Sequence, residues 1–310
     1  MPRILFMGTP QFAVPTLAAL TQQFDVVAVV TQPDAPARRG RALIAPPVKQ
    51  FALERSLPVL QPESLKPPEV VAQLREFAPD VIVVAAFGQI LRRDVLTLPP
   101  HACINVHASL LPRWRGASPI NAAIGAGDAV TGVTIMLMEA GLDSGPILAQ
   151  REEIIRADDT TSTLTERLSH VGAALLCETL PAWLRSDLTP QRQDESRVTT
   201  CGQIRKEEGR MNWSRSAVEL ERHVRAMTPW PVAWTLWQGK QLQVRRARVA
   251  APSEQQPAGT ITTHAGALCI HCGEGALELM EVQLESKRAM PAGDFLRGQK
   301  KPEIGDWRFD

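Results

Sequence analysis

Asn105 and His107 are the residues whose types and spacing most directly suggest catalysis. They close the apolar segment 103–107, and side chains two apart on a strand point to the same side of the sheet. An asparagine amide donates hydrogen bonds, and a histidine accepts or donates a proton, so the pair is suited to stabilising an oxyanion. A structural histidine bonded to the backbone is the commoner outcome for Asn-x-His, and the spacing alone leaves both interpretations open.

A carboxylate in a glycine-bracketed segment is the second chemical feature. Asp143 lies between Gly141 and Gly145, after the predicted strand 133–138. The segment is compatible with a tight turn in which the aspartate caps its own backbone. If the loop instead brings Asp143 against His107, the carboxylate stabilises the charged form of the imidazole and fixes the orientation of the ring.

Near-continuous Val and Ile segments alternate with helical patterns in the first two thirds of the chain. Segments 25–31 and 80–86 are typical of strands, and 11–21 and 161–184 are typical of helices. This alternation predicts an α/β fold with a doubly wound, mostly parallel sheet, whose strand carboxyl ends line a ligand crevice. The first βα turn, 8–13, has one glycine and a proline in place of G-x-G-x-x-G, which argues against a nicotinamide cofactor.

A polar segment divides the chain. Residues 185–206 lack apolar periodicity and predict a surface linker. From Ala233 onward, short apolar segments separated by Gly- and Pro-bearing turns predict a small β-barrel, a kind of domain that commonly binds oligonucleotides. We therefore expect a catalytic domain over 1–189, a linker over 190–206 and a C-terminal domain over 207–310.

The composition excludes several classes of function. The chain has 310 residues, more than one hydrophobic core usually organises, and its 34 Lys and Arg balance 33 Asp and Glu. Without a global charge, a nucleic acid must be held by local basic patches. No secretion signal is recognised, and no apolar run approaches the ~18–20 residues that span a bilayer, so we expect no membrane partner. Five scattered cysteines predict a reduced, cytoplasmic protein.

Cys269, His271 and Cys272 form the one cluster that suggests a metal site. A structural zinc needs four ligands, and the C-terminal third of the sequence has no second Cys or His pair. We predict a strand with small buried thiols and no metal.

Six segments, in this order, resemble the 10-formyltetrahydrofolate-dependent formyltransferases. The two central ones hold Asn105, His107 and Asp143, which match the Asn, His and Asp of that family's active site. The resemblance covers essentially the whole chain and implies a Rossmann-like formyltransferase domain followed by an OB-like domain. It also implies that these three residues are catalytic. The segments are FMGTPQFAVP (6–15), AAFGQIL (85–91), CINVHASLLPRWRGASP (103–119), MEAGLDSGPIL (138–148), IRKEEG (204–209) with NW (212–213), and MTPWPVAW (227–234).

The resemblance implies that two segments contact the formyl donor, 10-formyltetrahydrofolate. From its residue pattern alone, the first segment is the start of a helix that follows a predicted strand. The second is a loop that leaves the next predicted strand. The residues are Phe87, Gly88, Gln89, Ile90 and Leu91 in the first segment, and Ser109, Leu110, Leu111 and Pro112 in the second.

Basic residues in two places are expected to bind a tRNA. Segment 35–49 has four basic residues, no acidic one and three prolines, which predicts a mobile basic loop. Charge alone fits a solvated loop equally well, but the segment resembles the family's tRNA-contacting insertion. In the second domain, two arginines share one face of a predicted strand. The residues are Arg38, Arg39, Arg41, Lys49, Arg246 and Arg248.

The activity that the resemblance implies is transfer of a formyl group from 10-formyltetrahydrofolate to the amino group of an initiator methionyl-tRNA. It involves no metal and no stable protein partner. A formyltransferase acting on a sugar-nucleotide amine shares the fold, co-substrate and catalytic residues but would not require the basic loop. A formyltetrahydrofolate hydrolase is a further alternative. An RNA-binding protein with an inactive α/β domain is another, and the intact Asn105, His107 and Asp143 argue against it.

Overall fold

The structure, a computed structural model, describes residues 1–36, 43–250, 256–264 and 267–298. Contacts divide these residues into two compact units. Unit 1 comprises Met1–Pro119, Val130–Ile154 and Thr165–Cys201, and unit 2 comprises Ile120–Ala129, Ile155–Leu164 and the described residues from Gly202 onward. Within the expected linker, 190–201 therefore belongs to unit 1, while the domain boundaries at 189, 206 and 207 stay predictions.

The strands of unit 1 build one large sheet and two short ribbons. The strands are β1 (Arg3–Gly8), β2 (Asp25–Val30), β3 (Ala35–Pro36), β4 (Leu43–Ile44), β5 (Val59–Leu60), β6 (Val81–Ala85), β7 (Cys103–His107), β8 (Arg115–Gly116), β9 (Val130–Leu137), β10 (Ile147–Ile154) and β11 (Thr200–Cys201). Seven of them form the sheet in the order β10-β9-β7-β6-β1-β2-β5. Neighbours from β7 to β5 pair in parallel, whereas β9 pairs antiparallel with both β7 and β10, so the predicted mostly parallel sheet is confirmed.

Burial on both faces explains why the central strands read as continuous apolar segments. Every residue of Val81–Ala85 is buried, as are residues 4–7 of β1. Parallel strands covered by helices on both sides have this pattern. The helices are α1 (Val14–Gln23), α2 (Pro47–Glu54), α3 (Pro68–Glu76), α4 (Arg93–Leu96), α5 (Pro119–Ala126), α6 (Thr161–Leu184), α7 (Ala217–Ala226) and α8 (Ala292–Arg297). The predicted helix 11–21 begins instead with a 3-10 turn, Gln11–Ala13, before α1.

Unit 2 contains an antiparallel sheet, in the part of the chain where the sequence predicts a small β-barrel. The strands are β12 (Ala233–Trp237), β13 (Lys240–Ala250), β14 (Ile261–His264), β15 (Ala267–His271), β16 (Ala276–Leu284) and β17 (Met290–Pro291). Their order in the sheet is β12-β13-β16-β15-β14, with β17 paired to β16. Leu242, Val244, Leu268 and Leu277 are fully buried on it. A Ser216–Glu219 capping box starts α7, because each side chain accepts a backbone N–H of the other residue.

No helix within the described ranges has the length and apolar character that crossing a membrane requires. The five cysteines are all free thiols.

Candidate active site

Strand β7 places Asn105 and His107 in the middle of the unit 1 sheet. It lies between β6 and β9, with Asn105 paired to Val84 on one side and to Met136 on the other. Asn105 is half-buried, and His107 is 6% exposed. Both side chains reach the same partner, Asp143, so the structure brings the three predicted catalytic residues together.

The loop between β9 and β10 carries Asp143 to this pair. Oδ1 of Asp143 accepts a long hydrogen bond from Nδ2 of Asn105 at 3.4 Å, and Oδ2 lies 3.6 Å from Nδ1 of His107. The backbone N–H of Gly116 donates to the same Oδ2 at 2.8 Å. Asp143 is therefore not merely capping its own turn, because its carboxylate faces three other groups of unit 1.

The two nitrogens of the His107 ring face two different oxygens. Nε2 is 3.0 Å from the carbonyl oxygen of Trp114, and Nδ1 faces the carboxylate of Asp143. Because a carbonyl oxygen only accepts, Nε2 carries the proton of the neutral ring. Nδ1 is then the nitrogen left to exchange a proton, with the Asp143 carboxylate beside it. This geometry is suited to accepting and returning one proton.

A network of polar side chains that the sequence does not predict holds the backbone of the Asp143 loop. Nε2 of Gln193 donates to the carbonyl oxygens of Asp143 and Gly145, both at 2.8 Å, and its Oε1 accepts from Nε of Arg115 at 3.0 Å. The Arg115 side chain is 9% exposed and also forms an ion pair with Glu195. Gln193 lies 50 positions from Asp143 in the sequence, so no local pattern points to the contact.

The first predicted folate segment follows β6. The side chains of Phe87 and Leu91 are buried, whereas that of Ile90 is 86% exposed. Gln89 uses its side chain within the protein, because Oε1 accepts from the Leu65 N–H and Nε2 donates to the Pro62 carbonyl. The accessible part of the segment is thus Gly88 and Ile90.

The second predicted folate segment follows β7, so it starts at the same sheet edge as the first, next to it. The Ser109 hydroxyl is fully buried and donates to the Arg113 carbonyl at 2.6 Å. Leu111 is buried, while Leu110 and Pro112 are half-buried.

Of the four predicted basic residues in the loop, Arg38, Arg39 and Arg41 lie outside the described residues, and Lys49 is described. Nζ of Lys49 is 2.8 Å from both carboxylate oxygens of Asp34. Gln61 also donates to Asp34 at 2.8 Å. Hydrogen bonds from Lys49 and Gln61 lower the pKa of Asp34 below its ordinary value. The charge of Lys49 is therefore already balanced within unit 1.

Arg246 and Arg248 are exposed on β13, and their backbone partners on β16 are the acidic residues Glu281 and Glu278. The Arg248 guanidinium donates two hydrogen bonds to the carboxylate of Glu278, at 2.8 and 2.9 Å. This bond with Glu278 raises the pKa of the Arg248 guanidinium. The predicted basic face is thus accompanied by carboxylates of the same sheet.

The described ranges contain no group of three His, Cys, Asp or Glu side chains that could hold a metal ion. Cys269 and Cys272 are buried, and burial raises the pKa of the Cys272 thiol to about 11.

Comparison with known proteins finds two matching family profiles. The Formyl transferase profile matches residues 2–180, and the profile of the Formyl transferase C-terminal domain matches residues 203–300. Methionyl-tRNA formyltransferase of Myxococcus xanthus is 49% identical over 299 residues, which is 96% of each chain. The enzyme of the same name from Methylococcus capsulatus is 50% identical over 295 residues, covering 95% of this chain and 96% of the relative.

Solved structures share the fold at lower identity. WlaRD, a sugar 3N-formyl transferase, superposes with a TM-score of 0.67 at 16% identity, covering 93% of this chain and 99% of that one. HypX from Aquifex aeolicus, solved with tetrahydrofolic acid, gives a TM-score of 0.62 at 19% identity over 99% of this chain. This chain spans 49% of the length of HypX.

Proposed function

The chain belongs to the formyltransferase family and is a formyl-transferring enzyme, and we propose that it formylates the free amino group of methionyl-tRNA. The donor in this proposal is 10-formyltetrahydrofolate, the acceptor is the initiator tRNA, and the product serves translation initiation. The observation that carries the proposal is the cluster of Asn105, His107 and Asp143 in a protein whose full-length relatives bear the name of this activity.

The first step is attack of the amine on the formyl carbon, which turns the formyl oxygen into an oxyanion. The amide of Asn105 has two N–H groups, of which one faces Asp143. We assign the other N–H group as the hydrogen-bond donor to the oxyanion. The bond to Asp143 keeps the Asn105 amide in place for this role. Removing one such donor typically costs about 10²–10³-fold in rate.

The second step breaks the bond between the formyl carbon and N10 of the folate. The attacking amine loses a proton, and N10 must gain one, so the reaction moves a single proton across the site. His107 takes it at Nδ1 beside Asp143 and returns it to N10, directly or through one water. General acid–base help of this kind contributes about 10²–10⁴-fold.

The formyl donor binds, in this proposal, against the two segments that leave β6 and β7 at the same sheet edge. The exposed apolar side chain of Ile90 and the exposed Gly88 offer a surface for a flat ring. Phe87 and Ser109 contribute by fixing these segments from the buried side. The carbonyl oxygen of Phe87, for example, accepts from Thr9 Oγ1 at 2.9 Å.

The basic residues proposed to contact the tRNA fall into two groups, according to whether a carboxylate of this protein already balances their charge. Lys49 and Arg248 are neutralised by Asp34 and Glu278, so each adds little to phosphate attraction. Arg246 and the arginines at 38, 39 and 41 carry the proposal, the latter three on sequence grounds. The free thiols are in keeping with a reducing cytoplasm, where we place the reaction.

A sugar-nucleotide amine is the alternative acceptor, because solved sugar formyltransferases share the fold. Those proteins are 16% and 14% identical, whereas the methionyl-tRNA formyltransferases are 49% and 50% identical over nearly the whole chain. Sequence similarity therefore favours the tRNA acceptor.

One assay tests the proposal. The purified chain is given 10-formyltetrahydrofolate with charged initiator tRNA, charged elongator tRNA or a dTDP-linked amino sugar, and formylated products and free formate are quantified. We expect formyl transfer to the charged initiator tRNA with the highest kcat/KM. Preferred transfer to the amino sugar, or release of formate without an amine product, contradicts the proposal.

A further inference from the structure

We propose that residues 193–201, here called the strap, position the catalytic cluster, and that Gln193 and Thr199 are its positioning residues. The strap lies within the polar segment that the sequence predicts to be a surface linker. It holds Asp143 through Gln193 and holds the oxygen that faces His107 through Thr199. The inference rests on the proposed function only in that it concerns the same cluster.

Asp143 needs support because its backbone is in the left-handed region, at φ +47°. Residues other than glycine are uncommon in this region, and contacts to the backbone help to hold them there. The Gln193 amide binds the carbonyl of Asp143 and that of Gly145, so it fixes the loop on both sides of Ser144. Gln193 is itself only 9% exposed, and water competes little for these bonds.

Arg115 fixes which way the Gln193 amide points. The guanidinium only donates, so the oxygen of the amide must face Arg115 and its NH2 must face the two carbonyls. Glu195 holds the other side of the guanidinium, at 2.7 and 3.2 Å. Gly116, the residue after Arg115, donates to Oδ2 of Asp143. The network therefore holds the Asp143 loop by its backbone and its carboxylate by a neighbouring N–H.

Thr199 supports the other side of the cluster. Its hydroxyl accepts the Trp114 N–H at 2.9 Å, and the Trp114 carbonyl in turn accepts from Nε2 of His107 at 3.0 Å. Trp114 also has a left-handed backbone, at φ +61°. The pairing of β8 with β11 continues this contact over the next two residues. The hydroxyl of Thr199 thus helps to set the oxygen that decides which nitrogen of His107 is protonated.

The substitution Q193E tests the first contact with almost no change in shape. A carboxylate keeps an acceptor for Arg115 but loses both donors and places an oxygen against two carbonyls. We expect kcat to fall by about 10–100-fold, because small displacements of catalytic groups have effects of this size. The KM for 10-formyltetrahydrofolate should stay within about 2-fold, since the residues expected to contact it are untouched.

The matched control is Q23E, which makes the same change at the last residue of α1, outside the strap and its network. Gln23 is exposed, so kcat should stay within about 2-fold of the parent value. T199V and T199S form a second pair. The valine variant removes the acceptor for Trp114 and should lower kcat, and the serine variant restores a hydroxyl and should recover most of it.

A double-mutant cycle separates positioning from general stabilisation. If Gln193 acts through the Asp143 carboxylate, Q193E added to D143N lowers single-turnover rates by less than about 3-fold. A merely structural role predicts that the full Q193E effect persists in that background. Variant-to-parent ratios are measured with whichever amine the parent formylates, so a wrong acceptor assignment would not affect this result.

The proposal is overturned if folded Q193E keeps the parent kcat, or if its loss adds fully to that of D143N. If Q193E does not fold, the T199V and T199S pair decides alone. Equal kcat in these two variants, judged against unchanged circular dichroism and Tm, then contradicts the positioning role.

Discussion

The substitution D143N removes one negative charge from the cluster and changes the volume of the side chain little. An amide oxygen can still accept the Gly116 N–H, which lies at 2.8 Å from Oδ2. The new NH2 group then faces the Asn105 amide, whose Nδ2 is 3.4 Å from Oδ1. Because the proton-carrying pair loses its anion, we expect kcat to fall while the fold is kept.

The magnitude follows from the charge that is lost. A unit charge about 4 Å from a protonated imidazole contributes about 4 kcal/mol at an effective dielectric of about 20. Asp143 lies 3.6 Å from Nδ1 of His107 and is 14% exposed, so solvent screens the interaction only in part. This partial screening reduces the contribution of the lost charge. A loss of about 3 kcal/mol remains, which corresponds to roughly 10²-fold in kcat.

The assay is rapid-quench formation of formylated methionyl-tRNA at saturating 10-formyltetrahydrofolate, with circular dichroism and Tm as checks on folding. The control is D187N, which also removes one carboxylate from unit 1. Asp187 is 55% exposed and pairs with the exposed Arg185, away from the cluster in sequence, so kcat should not change.

Two outcomes would refute the reasoning. A folded D143N with kcat within about 3-fold of the parent would show that the carboxylate does not assist proton transfer. A loss confined to KM for the folate would make Asp143 a binding residue.

Three further predictions concern the oxyanion, the tRNA and acid stability. N105A should lower the single-turnover rate by about 10²-fold with unchanged folate affinity, and near-parent turnover would remove Asn105 from the mechanism. Replacing both Arg38 and Arg41 by Ala should flatten the slope of log tRNA affinity against log salt by roughly 1–2 units. K49M, which removes the partner of Asp34, should leave that slope unchanged, and equal slopes in all three proteins would mean that the loop is only solvated. Hydrogen bonds from the backbone and side chain of Ser216 and from Arg215 lower the pKa of Glu219 from 4.5 to about 2. Its carboxylate therefore stabilises the fold at neutral pH, and this stability is lost as the pH falls through that range. The difference in Tm between the parent and E219Q should be constant above about pH 5 and shrink below it, whereas a difference that does not depend on pH contradicts the assignment.

The sequence predicts the sheet and one side of the cluster on physical grounds. Buried parallel strands have uninterrupted Val and Ile segments, so residues 25–31 and 80–86 could be recognised without a partner. The period of two along β7 puts Asn105 and His107 on one side. Asp143 could not be added in this way, because a glycine-bracketed turn fits its segment equally well, and only the family resemblance pointed to the contact.

The supporting contacts could not be predicted because they join distant segments. Gln193 and Asp143 are 50 positions apart, and Thr199 and Trp114 are 85 apart. A polar segment without periodicity is typical of a linker, and nothing local distinguishes a strap whose polar groups are used inside the protein. The partner of Lys49 could not be predicted either. The basic segment begins at residue 35, and the carboxylate that pairs with Lys49 belongs to Asp34, one position before it.

The central claim is that the His107 cluster transfers a formyl group to methionyl-tRNA, and single-turnover transfer by the parent and H107A tests it most directly. Labelled 10-formyltetrahydrofolate is mixed with excess enzyme and charged initiator tRNA, and the amino acid is released from the tRNA and identified. We predict N-formylmethionine as the product of the parent and a rate at least about 10²-fold lower for H107A, with equal folate affinity. A parent that labels no methionine, or a folded H107A that reacts at the parent rate, would contradict the account.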